Sequence, residues 1–148
     1  MTADIKGKNV LIIGPPASGK SYLADKLAKE NPTHLLVHTD SYAKYGYEQA
    51  LYMLMEDLAK TKCNTIIEGY LGYRLLRKGV QRGTYYPDIV IELDVTEERM
   101  EQTYKEQRRD KDIALVKAAN KGHQKVLKDY QALDNPHKPQ WVTIKNHY

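Results

Sequence analysis

The sequence predicts an α/β fold, a three-layer sandwich in which a five-stranded parallel sheet lies between helices. Two observations carry that expectation. Short runs rich in Val and Ile lack strict polar–apolar alternation, which suits strands covered on both faces. Helical patterns separate those runs, and strand–helix alternation argues for parallel pairing with right-handed crossovers. The 148 residues suit one domain, taken as 1–148.

The strands are expected at Asn9 to Ile13, His34 to Val37, Thr65 to Ile67, Ile89 to Val95 and Trp141 to Ile144. Between them, Lys20 to Glu30 sets Leu23 and Leu27 on one face before Asn31-Pro32 ends the helix. Tyr47 to Lys60 turns Leu51, Leu54, Met55 and Leu58 inward, and Leu71 to Arg82 is a shorter helix carrying Leu75 and Leu76. Thr96 to about Asp110 is highly charged, and a last helix runs from about Asp112 to Leu133. Sheets of this kind bind ligands at the carboxyl ends of their strands, so chemistry is sought there.

Composition excludes several classes. No stretch approaches the roughly 20 apolar residues of a membrane span, and the start has too short an apolar run for a signal peptide. The single cysteine, Cys63, has no cysteine partner for a disulfide or a zinc cluster, so a reducing, cytoplasmic setting is expected. His34 and His38 lack metal-ligand spacing with any Cys or His. A net charge of +4 is too mild to mark a nucleic-acid binder by itself.

Directly after the first strand stands Gly14-Pro-Pro-Ala-Ser-Gly19-Lys20-Ser21. It matches the phosphate-binding P-loop pattern G-x-x-x-x-G-K-[ST] at every fixed position. Glycines allow the turns and let backbone N–H groups approach phosphate oxygens. The following helix points its positive end at the same oxygens. Lys20 can reach the β- and γ-phosphates, and the Ser21 hydroxyl can ligate Mg²⁺. Gly14, Ala17, Ser18, Gly19, Lys20, Ser21 and Tyr22 are therefore the candidate contacts to ATP.

Three classes compete: a kinase, an ATPase motor or GTPase switch, and a nucleotide-binding module without transfer activity. The guanine-reading N-K-x-D is absent, because Asn120-Lys121-Gly122-His123 fails at its last position. A motor needs a strand ending in Asp-Glu; the strand ends here are Glu68-Gly69 and Asp94-Val95. A kinase needs an acid beside the acceptor and cations over the transferring phosphoryl group. Asp40, after the second strand, is the candidate acid, with a helix cap or turn as its ordinary alternative. Glu68, ending the third strand, can position the acceptor or, like Asp40, hold Mg²⁺ through water. Arg74 on the next helix is the candidate grip on the acceptor. The charged helix shows almost no apolar stripe, which suits a lid around 97–115 that brings Arg108 and Arg109 over the nucleotide; a surface helix with i,i+4 ion pairs is the alternative.

The P-loop, His38-Thr-Asp40-Ser-Tyr42, the Thr65-Ile-Ile-Glu68-Gly-Tyr70 strand end and the segment from Ile89 to Arg109 follow in the order of small P-loop kinases. In residues 9 to 110 the chain resembles most the polynucleotide kinase and zeta-toxin-like branch, often found in bacteriophages. The resemblance implies a P-loop NTPase fold with the P-loop strand central, and Asp40 as the acceptor-activating aspartate. It implies Glu68-Gly69 in place of the family's Asp-Gly, and Arg108 or Arg109 as the lid arginine. Lys44 stands where an arginine is expected, and Thr103 where many relatives place the first lid arginine.

The expected activity is transfer of the γ-phosphate of ATP, with Mg²⁺, through Lys20, Asp40, Arg108 and Arg109. The first choice of acceptor is a polynucleotide 5′-hydroxyl, from the resemblance and from a basic C-terminal half: Lys117, Lys121, Lys125 and Lys128, with His123 and Tyr130 interleaved. A nucleoside monophosphate and a small hydroxylated metabolite follow. The loop from Asn135 to Pro139, with Trp141, is a candidate adenine wall.

Overall fold

The computed structural model describes residues 4–145. In chain order the elements are β1 (Val10–Ile13), α1 (Lys20–Glu30), β2 (Leu35–His38), a 3-10 segment (Thr39–Tyr45) and α2 (Tyr47–Lys60). There follow β3 (Thr65–Glu68), α3 (Gly72–Arg82), β4 (Ile89–Asp94), α4 (Glu97–Glu106), a 3-10 turn (Asp110–Asp112), α5 (Ile113–Gln131) and β5 (Gln140–Lys145). The strands form one sheet in the order β2-β3-β1-β4-β5, every neighbouring pair parallel.

The unbroken apolar strands do cover both faces. Side chains alternate across a strand, and the register carries that alternation across the sheet. Leu11 lies level with Ile67 and Val90, and all three pack under α2, α3 and α5. Val10 lies level with Ile66 and Ile89, which pack with Leu23, Ala24 and Leu27 of α1 on the other face. Helices therefore flank the sheet on both sides, as expected. Because β1 sits between β3 and β4, its carboxyl end lies at the point where the strand order reverses, the usual place for a ligand crevice.

Two sequence expectations need correction here. The charged helix ends at Glu106, not near Asp110. The Arg108 N–H donates to the Lys105 carbonyl (3.0 Å) and the Arg109 N–H to the Tyr104 carbonyl (2.8 Å), with Arg108 left-handed at φ 57°. That is a Schellman cap whose left-handed position, usually glycine, is held by an arginine. Nor does α4 lack an apolar stripe: Met100 and Tyr104, four residues apart, are 1% and 3% exposed. An ion pair between Lys117 and Glu101 ties α4 to α5. The helix is anchored, which leaves the stretch beyond Glu106 as the part of the expected lid without a buried side chain. Among the described residues, no helix is long and apolar enough to cross a membrane.

Candidate active site

The loop between β1 and α1 forms the floor of a cleft of about 340 Å³ at the carboxyl edge of the sheet. Gly19 enters α1 at φ 90°, a conformation that costs a side-chain-bearing residue energy. Ala17 is also left-handed, at φ 60°. Lys20 bends back over the loop and donates to the carbonyls of Gly14 (2.7 Å) and Pro15 (3.2 Å). Withdrawal from water pulls its pKa down to about 8, against the opposing fields of Glu68 and Asp40. The Ser18 hydroxyl is buried with no hydrogen-bond partner among the described residues. Ala17, Ser18, Ser21 and Tyr22 all line the cleft, while Gly14 lies beneath Lys20.

Two strand ends supply the acids. Asp40 follows β2 in the first turn of the 3-10 segment, and Glu68 is the last residue of β3; both line the cleft. The two turns are locked together. Thr39, fully buried, accepts a hydrogen bond from the Leu71 N–H (3.3 Å). Gly69 passes so close that a Cβ there would lie 2.0 Å from Thr39 Oγ1, and its φ of 132° excludes most side chains anyway. Farther along, the Tyr42 hydroxyl donates to Asp57 (2.5 Å), docking the 3-10 segment on α2.

Sequence reasoning missed two histidines. His38, at the end of β2, places Nδ1 2.5 Å from Glu68 Oε2 and Nε2 3.4 Å from Asp25 Oδ1 of α1. Its pKa is raised, chiefly by the hydrogen bond to Glu68. Glu68 is 3% exposed, so the His38 hydrogen bond gives this nearly buried carboxylate a partner. The second, His123 of α5, lines the cleft and stacks on Tyr73 with ring centroids 4.6 Å apart. Burial, then the charges of Lys20 and Arg74, lowers its pKa to about 4, so the imidazole is neutral at physiological pH. Its Nδ1 is buried with no hydrogen-bond partner among the described residues.

Other expectations do not converge on the cleft. Arg74 faces a groove between α2 and α3, although its charge reaches His123. Arg109 stacks over Tyr104 (4.7 Å) and pairs with Asp112 (3.2 Å), and neither it nor Arg108 lines the cleft. The adenine wall is overturned. The loop from Asn135 to Pro139 enters β5 at the amino edge of the sheet, where the Gln140 N–H meets the Asp88 carbonyl, opposite the P-loop. Trp141 packs on Tyr130 and donates to Glu92 (3.0 Å). The basic stripe with interleaved aromatics is overturned as well: Tyr130 is 6% exposed, His123 turns into the cleft, and Lys117 is spent on Glu101.

The donor set fits the groups that the loop implies. Backbone N–H groups of the P-loop, the start of α1 and the orphaned Ser18 hydroxyl suit the phosphates of ATP. The Ser21 hydroxyl and the Asp40 and Glu68 carboxylates are the hard oxygen ligands that Mg²⁺ takes, few in number because water and phosphate complete its shell.

Fold and cleft together define a P-loop architecture. No protein-family model and no curated protein sequence matches the chain. Solved structures do. Shikimate kinase from Acinetobacter baumannii, solved with shikimate, superposes with a TM-score of 0.62 at 14% identity, over 97% of this chain and 86% of that one. Shikimate kinase from Bacteroides thetaiotaomicron gives 0.51 at 12% identity, covering 91% and 84%. A gluconokinase from Sinorhizobium meliloti 1021 gives 0.51 at 14%, covering 94% and 82%. The chain therefore has the P-loop NTPase fold in the form that shikimate kinase displays. These neighbours lend nothing to the polynucleotide kinase and zeta-toxin branch or to a bacteriophage origin.

Proposed function

We propose that the chain is an ATP-dependent phosphotransferase acting on a hydroxyl of a small acceptor. The observation that carries this reading is the convergence of Lys20, Asp40 and Glu68 on one cleft with the phosphate loop. The structural neighbours are shikimate and gluconate kinases, which favours a small hydroxylated acceptor over the polynucleotide 5′-hydroxyl.

ATP lies with its phosphates on Ala17 to Ser21. The acceptor oxygen attacks the γ-phosphorus in line; an O–P bond forms, the bond to the β–γ bridging oxygen breaks, and ADP leaves. Asp40, exposed at the cleft, takes the acceptor proton. Lys20 leaves the Gly14 and Pro15 carbonyls for the phosphate oxygens, where its charge is better used. Glu68, steadied by His38, orients the acceptor, and would with Ser21 help hold Mg²⁺ through water. His123 offers a neutral imidazole to the acceptor side. Mg²⁺ at Ser21 would neutralise charge that builds on the phosphates. Arg108 and Arg109 reach the phosphoryl group when the stretch after α4 folds over the cleft; such cations contribute about 10³-fold or more.

A screen with γ-labelled ATP tests the reading. It should include shikimate, gluconate, nucleoside monophosphates and 5′-hydroxyl oligonucleotides. Label on a small hydroxylated compound supports it. Label on oligonucleotides alone restores the polynucleotide reading, and ATP binding with no transfer to anything leaves a non-catalytic nucleotide binder.

A further inference from the structure

We propose that the groove between α2 and α3 is a second anion site, one that seats a phosphate-class group carried by the acceptor. Four cations line it: Arg74, Arg77, Lys78 and Arg82. They stand at i, i+3, i+4 and i+8 of α3 and so share its outer face. The helix rise spreads them over about 12 Å.

Charges along one helix are ordinarily a solvated face. Here α2 answers with Leu51, Tyr52 and Met55, and Glu48 is the one acid among the described lining residues. The resulting cavity, about 300 Å³, has a cationic wall against an apolar one. Charges beside a low-dielectric wall act more strongly on an anion than they do in open water. Arg77 is only partly neutralised: Nη1 reaches Asp129 at 3.3 Å, while its buried Nε has no hydrogen-bond partner among the described residues. Arg82 sits over the ring of Tyr52, 4.7 Å from its centroid, and donates to the hydroxyl (3.2 Å), so its guanidinium is held in place at the far end. A planar guanidinium fixed in that way suits bidentate binding of phosphate.

The groove also leads somewhere. Arg74 stands in the first turn of α3, just past the Glu68 strand end, and its charge acts on His123 inside the transfer cleft. A molecule with its hydroxyl at Asp40 and a phosphate several ångströms away would lie along this line. That part of the inference, the identity of the carrier, rests on the phosphotransferase reading; the anion site itself does not.

The probe is inorganic pyrophosphate, titrated calorimetrically into protein saturated with Mg²⁺ and a non-hydrolysable ATP analogue, so that the P-loop is filled. One further equivalent should bind. The double variant Arg77→Gln/Arg82→Gln should weaken it at least about tenfold while leaving affinity for the ATP analogue unchanged. The variant Lys26→Gln/Lys29→Gln, which removes the same charge from α1, should leave pyrophosphate binding nearly intact. No uptake beyond the P-loop, or equal losses in both double variants, overturns the site. Pyrophosphate uptake with the P-loop filled reads the groove, while the acceptor screen reads transfer, so loss of the phosphotransferase reading and loss of the groove give different results.

Discussion

His38 Nδ1 lies 2.5 Å from Glu68 Oε2, joining the ends of two neighbouring strands through their side chains. The contact gives a nearly buried carboxylate a partner, and Asp25 holds the other ring nitrogen. His38→Ala should therefore leave Glu68 short of a hydrogen bond in low dielectric, a loss of about 1–3 kcal/mol. Chemical denaturation measures it. Transfer should fall by about tenfold more than ATP affinity does, and a variant with unchanged turnover would remove Glu68 from the acceptor side.

The raised pKa of His38 has a definite sign. A folded-state value above the unfolded one gives stability that is present below the unfolded value and lost as pH rises through the folded value. NMR titration of the imidazole should place His38 above an ordinary histidine, with Asp25→Asn lowering it, while His123 should stay neutral down to about pH 4.

Lys20 titrates the opposite way. Its ammonium is pulled down to about 8, so part of it is deprotonated in free protein between pH 8 and 9. In that window stability rises with pH, since the unfolded chain binds the proton more tightly. Phosphates placed beside Lys20 restore the proton. ATP binding near pH 8.5 should take up as much as about one proton, measured by calorimetry in buffers of different ionisation enthalpy. No uptake would mean that Lys20 does not move to the phosphates.

Arg108 occupies a left-handed helix cap where glycine is the cheaper residue. Arg108→Gly should raise stability by about 1 kcal/mol and lower transfer in the same protein. A variant that gains stability without losing turnover would take Arg108 out of the mechanism.

Gly69→Ala should cost at least about 2 kcal/mol, because the added methyl meets Thr39 Oγ1 and φ is unfavourable. Thermal unfolding would report it, with loss of transfer as Asp40 and Glu68 separate.

How much the sequence reveals depends on how local the signal is. The phosphate loop was legible because its chemistry lies within eight consecutive residues flanked by a strand and a helix. Asp40 and Glu68 were legible because parallel strands bring their carboxyl ends to one edge. His38 and His123 were not, since His38 meets a carboxylate 30 residues away and His123, on α5, meets Tyr73 of α3. The sequence order itself argues against the adenine wall: a loop that enters a parallel strand lies at the edge opposite a loop that leaves one. Met100 and Tyr104 were likewise readable as a narrow i,i+4 stripe, but the charge around them hid it.

The central claim is that the cleft transfers phosphate and that Asp40 serves the acceptor. Its most direct test compares Asp40→Asn with the unaltered chain in two quantities, turnover of γ-labelled ATP onto the acceptor and affinity for Mg²⁺–ATP. The account predicts turnover down by about 10²-fold or more with nucleotide affinity within about threefold of the original. Equal losses in both, or full turnover in the variant, would contradict it.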